Sequence, residues 1–194
     1  NLSAAREEVT YGFDQISQAG NKTQPVFVFA HILSPHSPYV FGANGEIVNQ
    51  PEGGWSTEDE KRAYLNQLVY INKQVMDVVD HLLSTSNTPP IIVLQSDYGW
   101  TFSGMGNPRR QADFDYKRLP ESEVISTFSI LSAYFLPGNK SKFLYGSITP
   151  ANSFRLIFNS YFDGNYEMLR DESYYSNYYG SPFKFANVTE MLNP

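Results

Sequence analysis

The chain has 194 residues, a formal net charge of -6 and no cysteine. This length suffices for a sizeable core, and we predict one domain over residues 1–194. The acidic balance argues against a nucleic-acid-binding protein, and the lack of cysteine excludes disulfides, thiolate metal sites and a cysteine nucleophile.

The first half of the chain predicts a helix, a strand and a second helix. Apolar residues recur every three or four positions over 2–19, which indicates a helix. The run PVFVFAHIL at 25–33 is apolar and rich in β-forming residues, so we predict a central strand buried on both faces. Residues 56–86 form the clearest helix, and Thr57 with Glu60 makes a capping box at its start.

An apolar stripe follows one face of this second helix, and its members are Tyr64, Leu68, Ile71, Val75, Val79 and Leu82. The run 91–95 then predicts a buried strand. A strand, a long helix and a strand make a βαβ unit, so we expect 25–32 and 91–95 to be parallel neighbours in one sheet.

The second half predicts a long polar loop at 99–121, a strand at about 128–136 and a helix from Pro150 to about Phe162. Thr149 is the expected N-cap of that helix. The tail from residue 163 onward is aromatic, and we expect it to pack over the edge of the sheet. No internal repeat or transmembrane run is visible, and the absence of an initiator Met suggests an excised fragment.

Residues with candidate chemistry follow the two predicted parallel strands. His31 and His36 lie in and after the first strand, and Asp97 follows the second. Because parallel strands end at one edge of a sheet, His36 and Asp97 are expected to face a common cleft. There His36 can donate to an anionic oxygen or stabilise a leaving group, and Asp97 can bind a hard or borderline cation.

Each of these residues also has a structural interpretation. A histidine in a proline-rich loop is often a hydrogen-bonded turn residue, and an aspartate before Tyr-Gly can cap a turn. Arg109 and Arg110 can bind a phosphate or sulfate group, or they can be a solvated pair in a loop.

The order of five stretches resembles the C-terminal half of a sulfatase-like domain of the alkaline phosphatase superfamily, which includes sulfatases, phosphoethanolamine transferases and lipoteichoic acid synthases. The stretches are FVFAHILSPHSPY, YLNQLVYINKQVMDVVDHLL, PPIIVLQSDYG, LSAYFLPG and SITPANSFRLIFNSYF. The later SYYSNYYGSPFKFANVT is similar to the tail of a bacterial, membrane-anchored subgroup.

The resemblance implies a three-layer αβα fold with a mostly parallel central sheet, of which this chain is a part. It implies action on phosphate or sulfate esters at the extracytoplasmic face of a bacterial membrane. His36 is then the catalytic residue that contacts the ester group, with His31 and Arg109 as further substrate-binding candidates. Asp97 is a metal ligand, and Tyr98 stands where the family has its histidine ligand. The implied metal is Mn, Zn, Ca or Mg.

The family's Ser or Thr nucleophile and its first acidic metal ligand precede the region of resemblance, so we expect them in a segment outside this chain. Tyr98 is a poorer metal ligand than histidine, because a phenol must first lose a proton. Three hypotheses follow: a part of a metal-dependent hydrolase or transferase, a catalytically inactive binding or scaffold module, and a purely structural domain.

Overall fold

A computed structural model describes residues 1–22, 24–101, 117, 119–177 and 180–192. The chain divides into two compact units, Asn1–Pro90 and Ile91–Pro194.

The first unit is built on two helices. Helix α1 spans Leu2–Ser17 and continues into a short 3-10 helix, Gln18–Asn21, while helix α2 spans Thr57–Thr85. Asn1 caps α1 by accepting a hydrogen bond from the Ser3 amide at 3.0 Å. The buried core of this unit joins the two helices to the intervening segment, and it consists of Val9, Phe13, Val40, Phe41 and Ile71. Both helices confirm the sequence prediction.

The run 25–33 is not a strand, so the prediction of a central strand buried on both faces is wrong. The β-forming residues Val26, Phe27, Val28 and Phe29 are 54%, 79%, 49% and 79% exposed. A strand needs a neighbour whose backbone completes its hydrogen bonds, and no described strand pairs with this run. Only Ile32, towards its end, packs against the core.

Helix α2 begins one residue earlier than the predicted capping box implies. The N-cap is Ser56, whose hydroxyl accepts a hydrogen bond from the Asp59 amide at 3.2 Å, and Thr57 is already helical. The predicted apolar stripe lies on the packed side of α2: Ile71 is buried and the other stripe residues are half-buried. The remaining buried positions on this helix, Glu60, Ala63 and Gln67, lie outside that stripe.

The second unit contains two small antiparallel sheets. Strand β1, Ile92–Gln95, pairs with β2, Ser132–Phe135, and Ile92 lies opposite Phe135. Strand β3, Tyr174–Asn177, pairs with β4, Ser181–Asn187, with an irregularity between Ser176 and Asn177.

The helices of this unit are α3 (Glu121–Phe128), α4 (Pro150–Tyr161) and α5 (Thr189–Leu192), with a 3-10 helix at Lys140–Phe143. Helix α4 confirms the prediction, with Pro150 at its first turn. Strand β2 lies within the predicted strand 128–136 but is shorter, because α3 ends at Phe128 and residues 129–131 lie between the two elements. The aromatic tail from residue 163 contains the β3–β4 hairpin, for which the sequence analysis predicted no strands. One buried hydrophobic cluster of this unit consists of Leu136, Leu156 and Ile157, and Val124 and Val188 are buried as well.

The fold is mixed α/β, which confirms the predicted class at that level. The described strands pair only antiparallel, and within the described ranges no parallel pair is formed by 25–32 and 91–95. Of the described helices, α2 included, none is both long and apolar enough to cross a bilayer.

The exposure of the run 25–33 is tested by two matched phenylalanine substitutions. Phe13 is 6% exposed and Phe29 is 79% exposed. We expect Phe13→Ala to lower the free energy of unfolding by about 3–5 kcal/mol, because it leaves a cavity in the core. Phe29→Ala should change it by less than about 0.5 kcal/mol. Urea unfolding followed by circular dichroism measures both, and equal costs would show that Phe29 is buried.

Candidate functional site

The loop that carries His36 is held by a buried side chain of helix α2. Gln67 is 1% exposed, and its Oε1 accepts hydrogen bonds from the amides of Val40 and Phe41 at 2.7 and 3.1 Å. Its Nε2 lies 3.3, 3.2 and 3.5 Å from the carbonyl oxygens of Pro35, His36 and Pro38. One side-chain amide therefore satisfies donors and acceptors along the SPHSPYVF segment.

Gln67 is a residue that the sequence prediction missed. It lies one position before Leu68 of the predicted apolar stripe, and a polar residue there signals nothing by itself. A signal was present in the neighbouring loop: a segment with prolines at 35 and 38 makes few backbone hydrogen bonds, so its polar groups need a side-chain partner when buried.

The two candidate histidines lie on the surface of the first unit. The Nδ1 atom of His36 is 2.6 Å from the carbonyl oxygen of Ser37, so Nδ1 carries the proton in this contact. The His31 ring lies 6.5 Å from the ring of Phe29. Both histidines are accessible to a ligand in this unit, although Nδ1 of His36 is already engaged with the backbone.

Asp97 lies just beyond β1, as predicted. The residues that flank it, Ser96 and Gly99, both form hydrogen bonds with residues 127–131. Ser96 donates its amide to the Leu131 carbonyl oxygen at 3.0 Å and accepts the Leu131 amide on its hydroxyl at 2.8 Å. Gly99 donates its amide to the Thr127 carbonyl oxygen at 2.7 Å. A Cβ at position 99 would collide with the carbonyl oxygen of Ser126, so only glycine fits.

The side chain of Asp97 makes a short-range turn contact. Its Oδ1 accepts a hydrogen bond from the amide of Tyr98 at 2.9 Å, and the residue is exposed. This is the turn-capping interaction that the sequence allowed as a structural interpretation. It engages one oxygen, so the carboxylate keeps lone pairs for a ligand.

Tyr98 does not suit the role of the metal ligand that the resemblance implies at this position. Burial and then the charge of Asp97 raise the pKa of its phenol above the ordinary value of about 10. The side chain is therefore a neutral phenol near neutral pH, a hydrogen-bond donor and not an anionic ligand. Within the described ranges no group of three His, Cys, Asp or Glu side chains is placed to hold a metal ion. Asp97 fits such an ion, and Tyr98 does not.

A surface cavity of about 540 Å³ lies beside Asp97 in the second unit, and we call it the Asp97 cavity. Asp97 and Tyr98 line one side, Thr149 and Pro150 at the start of α4 line another, and residues from Glu172 to Asn177 close it. Its size falls within the range of small-molecule sites. The predicted metal ligands therefore lie at a concave surface.

A polar cluster fixes the start of α4 against residues 169–171. Asn152 is 0% exposed and exchanges hydrogen bonds with the Leu169 backbone at 2.8 and 2.9 Å. The Asp171 carboxylate accepts the Thr149 amide and hydroxyl, both at 2.7 Å, and the Tyr145 hydroxyl at 2.7 Å. Thr149 is the N-cap residue of α4, as predicted, but its hydroxyl donates to Asp171 and makes no capping hydrogen bond.

The hydrogen bonds to Asp171 determine its protonation. Burial alone would raise the pKa of this carboxyl group, but hydrogen bonds from Tyr145, Thr149 and Asn152 outweigh burial and lower it below the ordinary value. The ionised form is therefore the one that the cluster stabilises.

The structure brings the predicted site residues together only in part. His31 and His36 belong to the first unit, and Asp97 and Tyr98 belong to the second. The predicted common cleft of His36 and Asp97 stays a prediction. Arg109 and Arg110 lie outside the described residues.

Comparison with known proteins gives no match: no protein-family model, no curated protein and no solved structure is similar to this chain.

The role of Gln67 is tested by Gln67→Leu, which keeps the volume and removes the amide. It leaves the buried amides of Val40 and Phe41 without their acceptor, and we expect the free energy of unfolding to fall by about 3 kcal/mol or more. Gln74→Leu on the same helix is the matched control and should cost less than about 0.5 kcal/mol. Similar costs for the two variants in urea unfolding would show that Gln67 does not hold the loop.

The Asp171 cluster predicts a pH dependence of stability. Because the folded-state pKa of Asp171 is depressed, its contribution is fully present above the unfolded-state pKa of about 3.9 and is lost as the pH falls through the folded-state pKa. Asp171→Asn should therefore melt below the wild type at pH 6, and the difference in Tm should shrink below about pH 4. A difference that stays constant from pH 6 to pH 3 would contradict this.

Proposed function

We propose that this chain is part of a sulfatase-like domain of the alkaline phosphatase superfamily that hydrolyses or transfers phosphate or sulfate esters. The proposal includes the three-layer αβα arrangement with a mostly parallel sheet and the location at the extracytoplasmic face of a bacterial membrane. The parent protein is membrane-anchored in this proposal.

The observation that carries the proposal is the placement of Asp97. It follows β1 directly, lies between the fixed residues Ser96 and Gly99, and lines a cavity of ligand size. A carboxylate with an accessible oxygen at a strand end is the group that a hard or borderline divalent cation needs. The resemblance assigns the same residue to the metal, independently of this geometry.

A second support is the rigid attachment of the His36 loop. Gln67 contacts the loop backbone on both sides of His36, so the imidazole is carried by an ordered segment. A group that donates to an ester oxygen must be held in position, because a misplacement of about 1 Å costs much of its effect. In this proposal His36 contacts the phosphate or sulfate group.

The described residues of this chain support only a limited role for a metal. When bound, a divalent cation would neutralise charge on the ester oxygens and act as a Lewis acid. Asp97 is the residue of this chain that would hold it. Tyr98 can instead donate a hydrogen bond from its neutral phenol to an ester oxygen or to another ligand of the site.

The presence of tyrosine at position 98 favours a second candidate function, a catalytically inactive binding or scaffold module of the same family, because a neutral phenol is a poor metal ligand. Burial and the charge of Asp97 raise the pKa of this phenol further above its ordinary value. In this alternative Tyr98 fills the position of the histidine ligand and removes the metal affinity. The fold and the accessible carboxylate are retained, and the chain binds a ligand without turnover.

The substitution Tyr98→His tests the assignment of Asp97 to a metal position. If the rest of the site is intact, the new imidazole should raise the affinity for Mn²⁺ or Zn²⁺ by at least about tenfold, which equals about 1.4 kcal/mol. Isothermal titration calorimetry measures the affinity, and a rise in Tm at excess metal provides a second readout.

Two controls locate the effect. The double variant Tyr98→His with Asp97→Asn should lose the gain in metal affinity. Tyr166→His, which replaces an exposed tyrosine outside the Asp97 cavity, should show no such gain. No gain with Tyr98→His for Mn²⁺, Zn²⁺, Ca²⁺ or Mg²⁺ would overturn the proposal. Release of nitrophenol from its phosphate or sulfate ester by the wild-type chain with Mn²⁺ would overturn the inactive alternative.

A further inference from the structure

The Asp97 cavity has a chemical character that the proposed ester chemistry does not explain. Four aromatic residues are among those that line it, Tyr98, Phe128, Tyr174 and Tyr175. Two acidic residues, Asp97 and Glu172, line it as well, and no Lys, Arg or His is among the described residues of its wall. The wall therefore combines aromatic residues with negative charge.

We propose that the Asp97 cavity binds an organic cation, such as a quaternary ammonium group. Aromatic faces attract a cation placed over them, and the attraction is strongest when the cation sheds part of its water. A quaternary ammonium group is large, apolar at its surface and weakly hydrated, so it gains from both the rings and the carboxylates. The cavity volume of about 540 Å³ leaves room for the rest of a small ligand.

The wall discriminates against the other ligand classes. A free phosphate or sulfate finds no cationic side chain among the described lining residues and faces two carboxylates. A small hard cation such as Mg²⁺ prefers several oxygen ligands in close geometry and gains little from aromatic rings. A neutral ligand would use the rings but not the charge.

The carboxylates of Glu172 and Asp97 differ in how many hydrogen bonds and ion pairs they already make within the protein. Glu172 lies 3.2 Å from the guanidinium group of Arg170, whose side chain is 87% exposed, and it accepts the Tyr174 hydroxyl at 2.7 Å. An ion pair with so exposed an arginine is weak, because water screens it. Asp97 accepts only the Tyr98 amide among the hydrogen bonds described for its side chain. Asp97 is therefore the principal counter-charge for the ligand.

This inference uses the same Asp97 as the proposed function but does not rest on it, because it requires neither a metal nor an ester. The two can fail separately. Binding of an organic cation is measured in the presence of EDTA, whereas the metal assignment is measured by the response of Tyr98→His to Mn²⁺.

Choline and its neutral isostere 3,3-dimethylbutan-1-ol are a matched pair of probes for the full chain. They share shape and apolar surface and differ in the charge on the central atom. Titration calorimetry or ligand-observed NMR in EDTA should show choline binding at least about fivefold more tightly than the isostere. Equal affinity of the two probes, or no binding of either, would overturn the proposal.

Variants locate the binding and separate charge from aromatic surface. Choline binding should weaken by about fivefold or more in both Asp97→Asn and Tyr98→Leu. The affinity for the neutral isostere should stay the same in Asp97→Asn and fall in Tyr98→Leu, because only the second change removes aromatic surface. Asp163→Asn and Tyr166→Leu make the same changes outside the cavity and should leave choline binding unchanged. Choline binding that survives both Asp97→Asn and Tyr98→Leu would place the cation elsewhere and overturn the assignment.

Discussion

The hydrogen bonding of one buried amide determines the shape of the first unit. Gln67 lies on the buried side of α2, and it supplies both an acceptor and a donor to residues 35–41. The loop is thereby pinned close enough for Val40 and Phe41 to enter the core beside Val9 and Phe13. An apolar side chain of the same size would leave these backbone groups unpaired, which costs more than its own burial returns.

The second unit uses the same physical solution at the start of α4. Asn152 is fully buried and exchanges hydrogen bonds with the Leu169 backbone, while Asp171 accepts the Thr149 amide at the helix start. In both units a helix carries a buried polar side chain that orders an irregular segment, so the loops are held by specific contacts. The cavity wall formed by Thr149, Pro150 and the residues after Glu172 depends on this cluster.

The sequence correctly predicted the helices and strands whose signals lie within their own residues. It failed where the structure depends on contacts with residues distant in sequence. Helices α1, α2 and α4 and strand β1 each have periodicity, capping or apolar runs within their own residues. The run 25–33 has a strand's composition, but composition cannot supply the neighbouring strand that a ladder requires. Gln67 was missed for a related reason, since a buried amide is recognised only when its partners, distant in sequence, are known.

At the candidate site, position and chemistry are set by different residues. Ser96 and Gly99 fix the turn through the backbone of residues 126–131, and neither contact involves the side chain at position 98. A different side chain at position 98 can therefore change the chemistry of the site without moving Asp97. The phenol supplies an aromatic ring and a neutral donor, and burial with the Asp97 charge raises its pKa. Acidic and aromatic residues thus lie together at the Asp97 cavity, which is the combination that the proposed organic cation would use.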